Sequence, residues 1–312
     1  MAVDLNAFGN CTSDNTGSAQ GQCDIVKFGD LIGFTPYKKG TSYDITDGNA
    51  AFGESEYKNS VKALNAFPYV SDLYDFTQDT PENEKNTSST GVLTEIRAGK
   101  PQFSFMYRGG SCQSKSLFNK RGDSIWDYAL VFEQGILMCT NAAGDKLKPF
   151  DGGMLSVETM KLVQGTDPQM TTAIIQLLDA IEFNERHVFL PFSKVGDIDE
   201  IKGVIETSIT VDAIADAATE FSFSVVSNCN KDSVILDLED ETNYVLLGTQ
   251  ASATTISAVA YNASTGKYTA TVSPALASGD TVQIKLSDGT YDVIEDTVGN
   301  LYKGISNTVT VS

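Results

Sequence analysis

The chain has 312 residues, 41% of them hydrophobic, including 16 Phe and 12 Tyr. That supply buries a sizeable core, which excludes disorder of the whole, and the length suits two domains better than one. Its 41 acidic against 22 basic residues leave a net charge of −19, which argues against binding a phosphate backbone or an anionic membrane surface.

No stretch approaches the ~20 apolar residues of a membrane helix. The N-terminus lacks the basic and apolar regions of a secretory leader, so the expectation is a chain made in the cytosol. Residues 1–23 are rich in Asn, Ser, Gly, Thr and Gln and read as an N-terminal arm, with Asn6, Phe8 and Asn10 as candidate contacts. Residues 24–212 read as a β domain. Short apolar runs, Ile25-Val26 and Leu31-Ile32, alternate with glycines as short strands. Phe52, Tyr57, Val61 and Leu64 recur at helical steps, which predicts a helix over 50–66 with Pro68 as its stop.

Residues 77–91 carry no apolar side chain, and a polar insert of that length inside a folded domain reads as a mobile contact loop. Asp79, Pro81, Glu82, Asn83, Glu84, Lys85 and Asn86 are its candidate assembly contacts. Phe103, Phe105 and Tyr107 then alternate as a strand. Trp126, Tyr128, Leu130 and Phe132 share one face of the first half of a hairpin, Ser124–Thr140, that turns at Gln134-Gly135. Residues 154–163 read as a strand, 170–183 fit either a helix or a long buried strand, and 186–192 and 203–211 read as strands. The small-residue stretch 213–219 reads as a linker.

Residues 220–312 hold seven short strand candidates, at 221–227, 233–238, 243–247, 255–261, 267–272, 281–287 and 305–311. Turn signals separate them at about 8–12-residue spacing, the pattern of an immunoglobulin-like sandwich. The predicted fold class is therefore mainly β: an N-terminal β-sandwich or barrel with one or two flanking helices, then a C-terminal immunoglobulin-like β-sandwich.

Chemistry-bearing motifs are sparse. A catalytic triad would need His187, the chain's one histidine, which reads as a strand residue in Arg-His-Val-Phe-Leu. Zinc needs clustered Cys and His, yet Cys11, Cys23, Cys112, Cys139 and Cys229 include no CxxC pair. Reduced structural thiols are expected, with Cys11 and Cys23 closing a loop only in an oxidising place. The Arg121-Gly122-Asp123 tripeptide and three Asn-x-Ser/Thr sequons match by spelling alone. Asp14-Asn15-Thr16-Gly17 fails as a calcium loop because Ile25 stands where the twelfth-position glutamate belongs. The acidic cluster Asp237, Glu239, Asp240 and Glu241 reads as a solvated turn. No enzymatic activity, cofactor or metal is expected.

The ending, Asp-Thr-Val-Gly-Asn-Leu-Tyr followed by Ser-Asn-Thr-Val-Thr-Val, resembles bacterial and phage Ig-like repeat domains. The helix candidate, the polar loop, the hairpin and Leu147-Lys148-Pro149-Phe150-Asp151-Gly152-Gly153 before a long strand together resemble the organisation of tailed-bacteriophage major tail (tail tube) proteins. That resemblance implies a virion protein whose partners are itself and other virion proteins. It implies hexameric rings stacked into a tube through which DNA passes without specific binding, with no membrane partner and the Ig-like domain outside. The alternatives are a capsid decoration, neck or baseplate component, or a surface adhesin or carbohydrate-binding module.

Overall fold

The structure is a computed structural model that describes residues 3–4, 29–70, 73–91, 93–109, 111–122, 125–162, 168–229, 234–250 and 253–312. The chain is mainly β and divides into two compact units, the first of residues 1–60 and 65–201 and the second of residues 61–64 and 202–312.

The first unit is a two-sheet sandwich. Its larger sheet runs Val3–Asp4, Asn49–Ala50, Tyr43–Thr46, Lys146–Lys148, Gly135–Thr140, Trp126–Phe132, Leu31–Lys38 and Tyr69–Val70, with His187–Pro191 also paired to Gly135–Thr140. The smaller sheet is antiparallel throughout, in the order Gly152–Val157, Met170–Leu177, Gln102–Arg108, Leu73–Gln78. The predicted hairpin is present as Trp126–Phe132 and Gly135–Thr140. Trp126, Tyr128 and Leu130 face the core between the sheets, while Asp127, Ala129 and Val131 on the other side of the strand are buried too. The turn is Glu133–Gln134, one residue earlier than the expected Gln134-Gly135, and Gly135 opens the return strand, where a side chain would overlap the Leu190 carbonyl of the neighbouring strand.

Alternation on Gln102–Arg108 sends Phe103, Phe105 and Tyr107 inward, where Phe34 of the facing sheet stacks on Phe105 at 4.7 Å. Burying each such ring contributes about 2–3 kcal/mol. The helix is shorter than its periodicity suggests, Glu54–Lys62. Acids in its first turn and Lys62 in its last complement the helix dipole. Leu64 takes a left-handed conformation (φ 56°) that ends the helix before Pro68 is reached. Tyr57 and Val61 bury its inner face, and the Tyr57 hydroxyl lies 2.7 Å from Thr35 Oγ1. The ambiguous segment 170–183 resolves into both readings: Met170–Leu177 is a strand, and Asp179 then caps a short helix, Ala180–Asn184.

The second unit is an immunoglobulin-like sandwich. One sheet runs Thr255–Asn262, Lys267–Ser273, Glu220–Ser227, Ile205–Val211, Leu301–Lys303, Ile294–Glu295; the other holds Tyr244–Leu247, Thr281–Leu286 and Val309–Thr310. Ile205–Val211 thus belongs to this unit, although the sequence assigns it to the first domain. Residues 213–219 connect two strands of the same sheet and do not link two domains. Phe223 stacks on Tyr268 at 5.5 Å in a core that includes Ile209, Val225, Ile284 and Leu286.

The expected strand at 233–238 is an irregular connection over its described residues, with a single bridge at Val234. Asp237 has φ 61°, which breaks an extended run, and two tyrosine hydroxyls secure the segment: Tyr268 donates to the Ile235 carbonyl and Tyr244 to the Leu238 carbonyl, each at 2.7 Å.

Asp296 organises the Asp-Thr-Val-Gly-Asn-Leu-Tyr stretch. Its carboxylate accepts from the Val298 and Asn300 amides, the Asn300 side chain and the Tyr302 hydroxyl at 2.7–3.1 Å. Burial opposes the charge, but these donors outweigh it and hold the carboxyl below its ordinary range.

Candidate assembly surface

The polar stretch that the sequence marks as a contact loop is a hairpin arm. Leu73–Gln78 pairs with Gln102–Arg108, with Phe76 opposite Phe105 and Gln78 opposite Phe103. Beyond them Glu84–Thr87 pairs with Leu93–Arg97, from Glu84 opposite Arg97 to Thr87 opposite Leu93. The two ladders follow one another in register, so residues 73–108 form one long hairpin. Its base lies in the core sheet, and residues 75–91 of its outgoing half are exposed.

The stretch expected as a mobile contact loop is thus strand-paired over Glu84–Thr87 and Leu93–Arg97. Both faces of the arm's outgoing half, residues 75–91, are exposed, so polar side chains on both sides satisfy the pleat there and no hydrophobic alternation is needed.

The candidate contact residues occupy defined places on it. The Asp79 amide donates to the Gln102 carbonyl at 2.9 Å, which continues the inner ladder. Pro81 lacks an N–H and falls where the two ladders separate. The Asn83 side chain bridges that break, its Oδ1 accepting from the Gly99 amide at 2.9 Å. Glu84 pairs with Arg97 at 3.5 Å, with both side chains largely in solvent, so the pair contributes little. Lys85 stands opposite Glu95 and Asn86 opposite Thr94. Glu82, like the others, is exposed. The candidates Asn6, Phe8 and Asn10 lie outside the described residues.

Two features escaped the sequence reading. The helix Cys112–Lys120 follows the arm directly, capped by Ser111, whose side chain accepts from the Ser114 amide. It buries Leu117 but little else that is large, so its apolar periodicity is faint, although Ser111 followed by three residues to Ser114 was a usable start signal. Second, Cys112 and Cys229 are in disulfides and Cys139 is a free, buried thiol, which corrects the expectation of reduced thiols throughout. Cys11 and Cys23 lie outside the described residues.

Other titratable clusters have structural explanations. Lys148 bonds Asp151 at 2.7 Å and the buried Glu182, which also accepts from the Asp151 amide. Burial works against the Lys148 charge, but the two carboxylates override it and hold the ammonium above the usual lysine range. Burial, followed by the charge of Glu182, pushes the Cys139 thiol well up. Asp240 caps the turn Glu241–Asn243, and its bonds to the Thr242 hydroxyl and amide hold it below the usual carboxylate range. His187 is exposed at the start of its strand.

Among the described residues no three His, Cys, Asp or Glu side chains gather as a metal site. An open cleft of about 420 Å³ in the second unit is lined by Thr207, Ser208, Asn228, Lys285, Lys303 and Ile305, with Lys285 already paired to Asp292. No protein-family model matches the chain, and no curated protein matches it significantly.

Proposed function

We propose that this chain is a structural protein that works by polymerising, and within that class a subunit of a bacteriophage tail tube. The observation that carries the reading is the arm: a hairpin anchored in the core sheet, whose outgoing half is exposed from residue 75 to residue 91. Conformational order in a polar, two-faced hairpin is stabilised when a neighbour covers it.

The smaller sheet adds support. Its outer strands, Leu73–Gln78 and Gly152–Val157, are different surfaces, the second met by a bridge from Gly122 to Leu155. A contact between two different edges is heterologous and closes into a ring when the rotation permits. The resemblance described above implies six copies per ring, with these sheets toward the lumen. A net charge of −19 suits a conduit that DNA slides through without adhering. The Ig-like unit would decorate the exterior.

Electron microscopy of the purified chain over a concentration series tests this, with stacked rings of constant diameter expected. A variant in which a two-residue turn replaces residues 81–99 keeps Leu73–Gln78 and Gln102–Arg108 and should fold as a monomer that does not stack. Tubes from that variant would overturn the reading.

The disulfides at Cys112 and Cys229 favour a second reading, an exported adhesin or carbohydrate-binding module, since such bonds persist in oxidising places. They also suit a virion surface, and microscopy separates the two, because an adhesin gives isolated particles at every concentration.

A further inference from the structure

The charge of this acidic chain is unevenly distributed in one place. Between Glu95 and Asp123 there is no acidic residue, while Arg97, Lys100, Arg108, Lys115, Lys120 and Arg121 account for six of the chain's 22 cations. Lys115 and Lys120 belong to the helix Cys112–Lys120, Arg121 caps its end, and Arg108 closes the strand before it. Among the described ion pairs none involves Arg108, Lys115 or Arg121, and all three are exposed.

Beside them Phe118 keeps 38% of its surface in solvent, with the Arg121 guanidinium 3.6 Å above its ring and bonded to the Phe118 carbonyl at 2.7 Å. An unpaired arginine on an exposed aromatic is the composition of an interface anchor.

The opposite charge lies on the arm. Asp75, Asp79, Glu82 and Glu84 follow one another along its outgoing half with no cation among them, and Asp79 and Glu82 take part in no described ion pair. The helix begins just after the return strand ends at Arg108, at the arm's base. The helix ends at its cap Arg121 beside Gly122, which bridges Leu155 on Gly152–Val157, the edge strand opposite Leu73–Gln78. Three inter-strand spacings, about 14 Å, separate those two edges, so the chain's own arm stands away from this end of the helix while another copy's arm can reach it.

We infer that the surface formed by Arg108, Lys115, Phe118 and Arg121 is the socket for the acidic half of a second copy's arm, around Asp79 and Glu82. This rests on the polymerising role proposed above and names the two surfaces that meet. The contact is heterologous, so it propagates and does not close as a dimer. A second copy is favoured over nucleic acid because the chain as a whole repels phosphate.

The test is a charge exchange on the full chain, followed by sedimentation and electron microscopy. Lys115→Glu with Arg121→Glu reverses the socket; Asp79→Lys with Glu82→Lys reverses the arm. All four side chains are exposed, and circular dichroism melting verifies the fold of each variant. Each reversal alone should raise the concentration needed for assembly about tenfold or more, and high salt should do the same to the wild type.

The chain carrying both reversals should assemble again near the wild-type concentration. If the folded socket-reversed chain assembles as readily as wild type while the arm-shortened chain does not, the arm seats elsewhere: the inference is overturned and the polymerising role survives. A doubly reversed chain that folds yet does not recover overturns it as well. Binding of a short DNA duplex at physiological salt, lost on socket reversal with assembly unchanged, would reassign the surface to nucleic acid. A wild-type chain that stays monomeric defeats both the inference and the reading beneath it.

Discussion

Gly99 faces Pro81 across the arm so closely that a Cβ on Gly99 would overlap the Pro81 carbonyl oxygen. The Gly99 amide is meanwhile engaged by Asn83. Glycine is thus required at the one place where the inner and outer ladders of the hairpin meet around a residue that cannot donate. Gly99→Val should push the strands apart there and misdirect the outer arm while leaving the core untouched. We expect a melting temperature within a few degrees of wild type and a loss of assembly; tubes of normal appearance would contradict this role of the close approach.

Asp296 should dominate the acid limb of the second unit. Its folded pKa lies below the unfolded value, so its stabilisation is present above about pH 4 and is lost as the pH falls through the folded value. Asp296→Ala removes an acceptor for four donors and should cost about 2–4 kcal/mol. Asp296→Asn, neutral throughout, should flatten the dependence of the second unit's melting on pH below 4. An unchanged acid limb would place the titration elsewhere. Tyr302, raised to about 12 by burial and by the neighbouring Asp296 charge, should remain protonated through pH 10, as ultraviolet titration can follow.

Removing Lys148 leaves the buried Glu182 without a counter-charge, whereas removing Glu182 leaves Lys148 its bond to Asp151. Lys148→Met alone should destabilise the first unit by about 3–5 kcal/mol, whereas Lys148→Met with Glu182→Leu should come close to wild type in chemical denaturation. A single and a double variant of equal stability would refute the pairing. Because the folded Lys148 pKa is raised, its contribution is complete below about pH 10 and is lost only as the pH rises through the folded value.

The cysteines should divide by reactivity. Under native conditions an alkylating reagent should leave Cys139 unmodified, since its thiol is buried and held in the protonated form. Reduction should lower stability by about 2–5 kcal/mol per disulfide and make Cys112 and Cys229 available to label. Mass spectrometry before and after reduction reads both; native labelling of Cys139 would contradict its burial.

What the residues disclosed in advance follows from how strongly burial patterned them. Trp126, Tyr128 and Leu130 share the side of their strand that faces the core between the sheets, and Gly135, just after the turn, marks where the chain reverses. The helix at Tyr57 and Val61 was legible for the same reason, and its end was misplaced because Leu64 continues the spacing while its backbone leaves the helix. Ile205–Val211 looked like a continuation of the first domain, since a strand's pattern does not say which core it serves. The candidate arm residues stood out by composition alone, but their pairing did not, because a hairpin in water on both faces leaves no apolar periodicity. The helix Cys112–Lys120 was hidden by having little more than Leu117 to bury.

The arm's two base strands are not surface additions. Phe103, Phe105 and Tyr107 stand on one of them, in the centre of the first unit, and Met170–Leu177 is laddered along its other side over seven residue pairs. A pull on the tip along the hairpin therefore loads that whole row of bonds in shear, not one after another as in peeling. The appendage is thus a lever rooted in a central strand laddered on both sides, and in the polymer proposed above a bend or twist imposed on the arm would reach the core of its own subunit as mechanical strain.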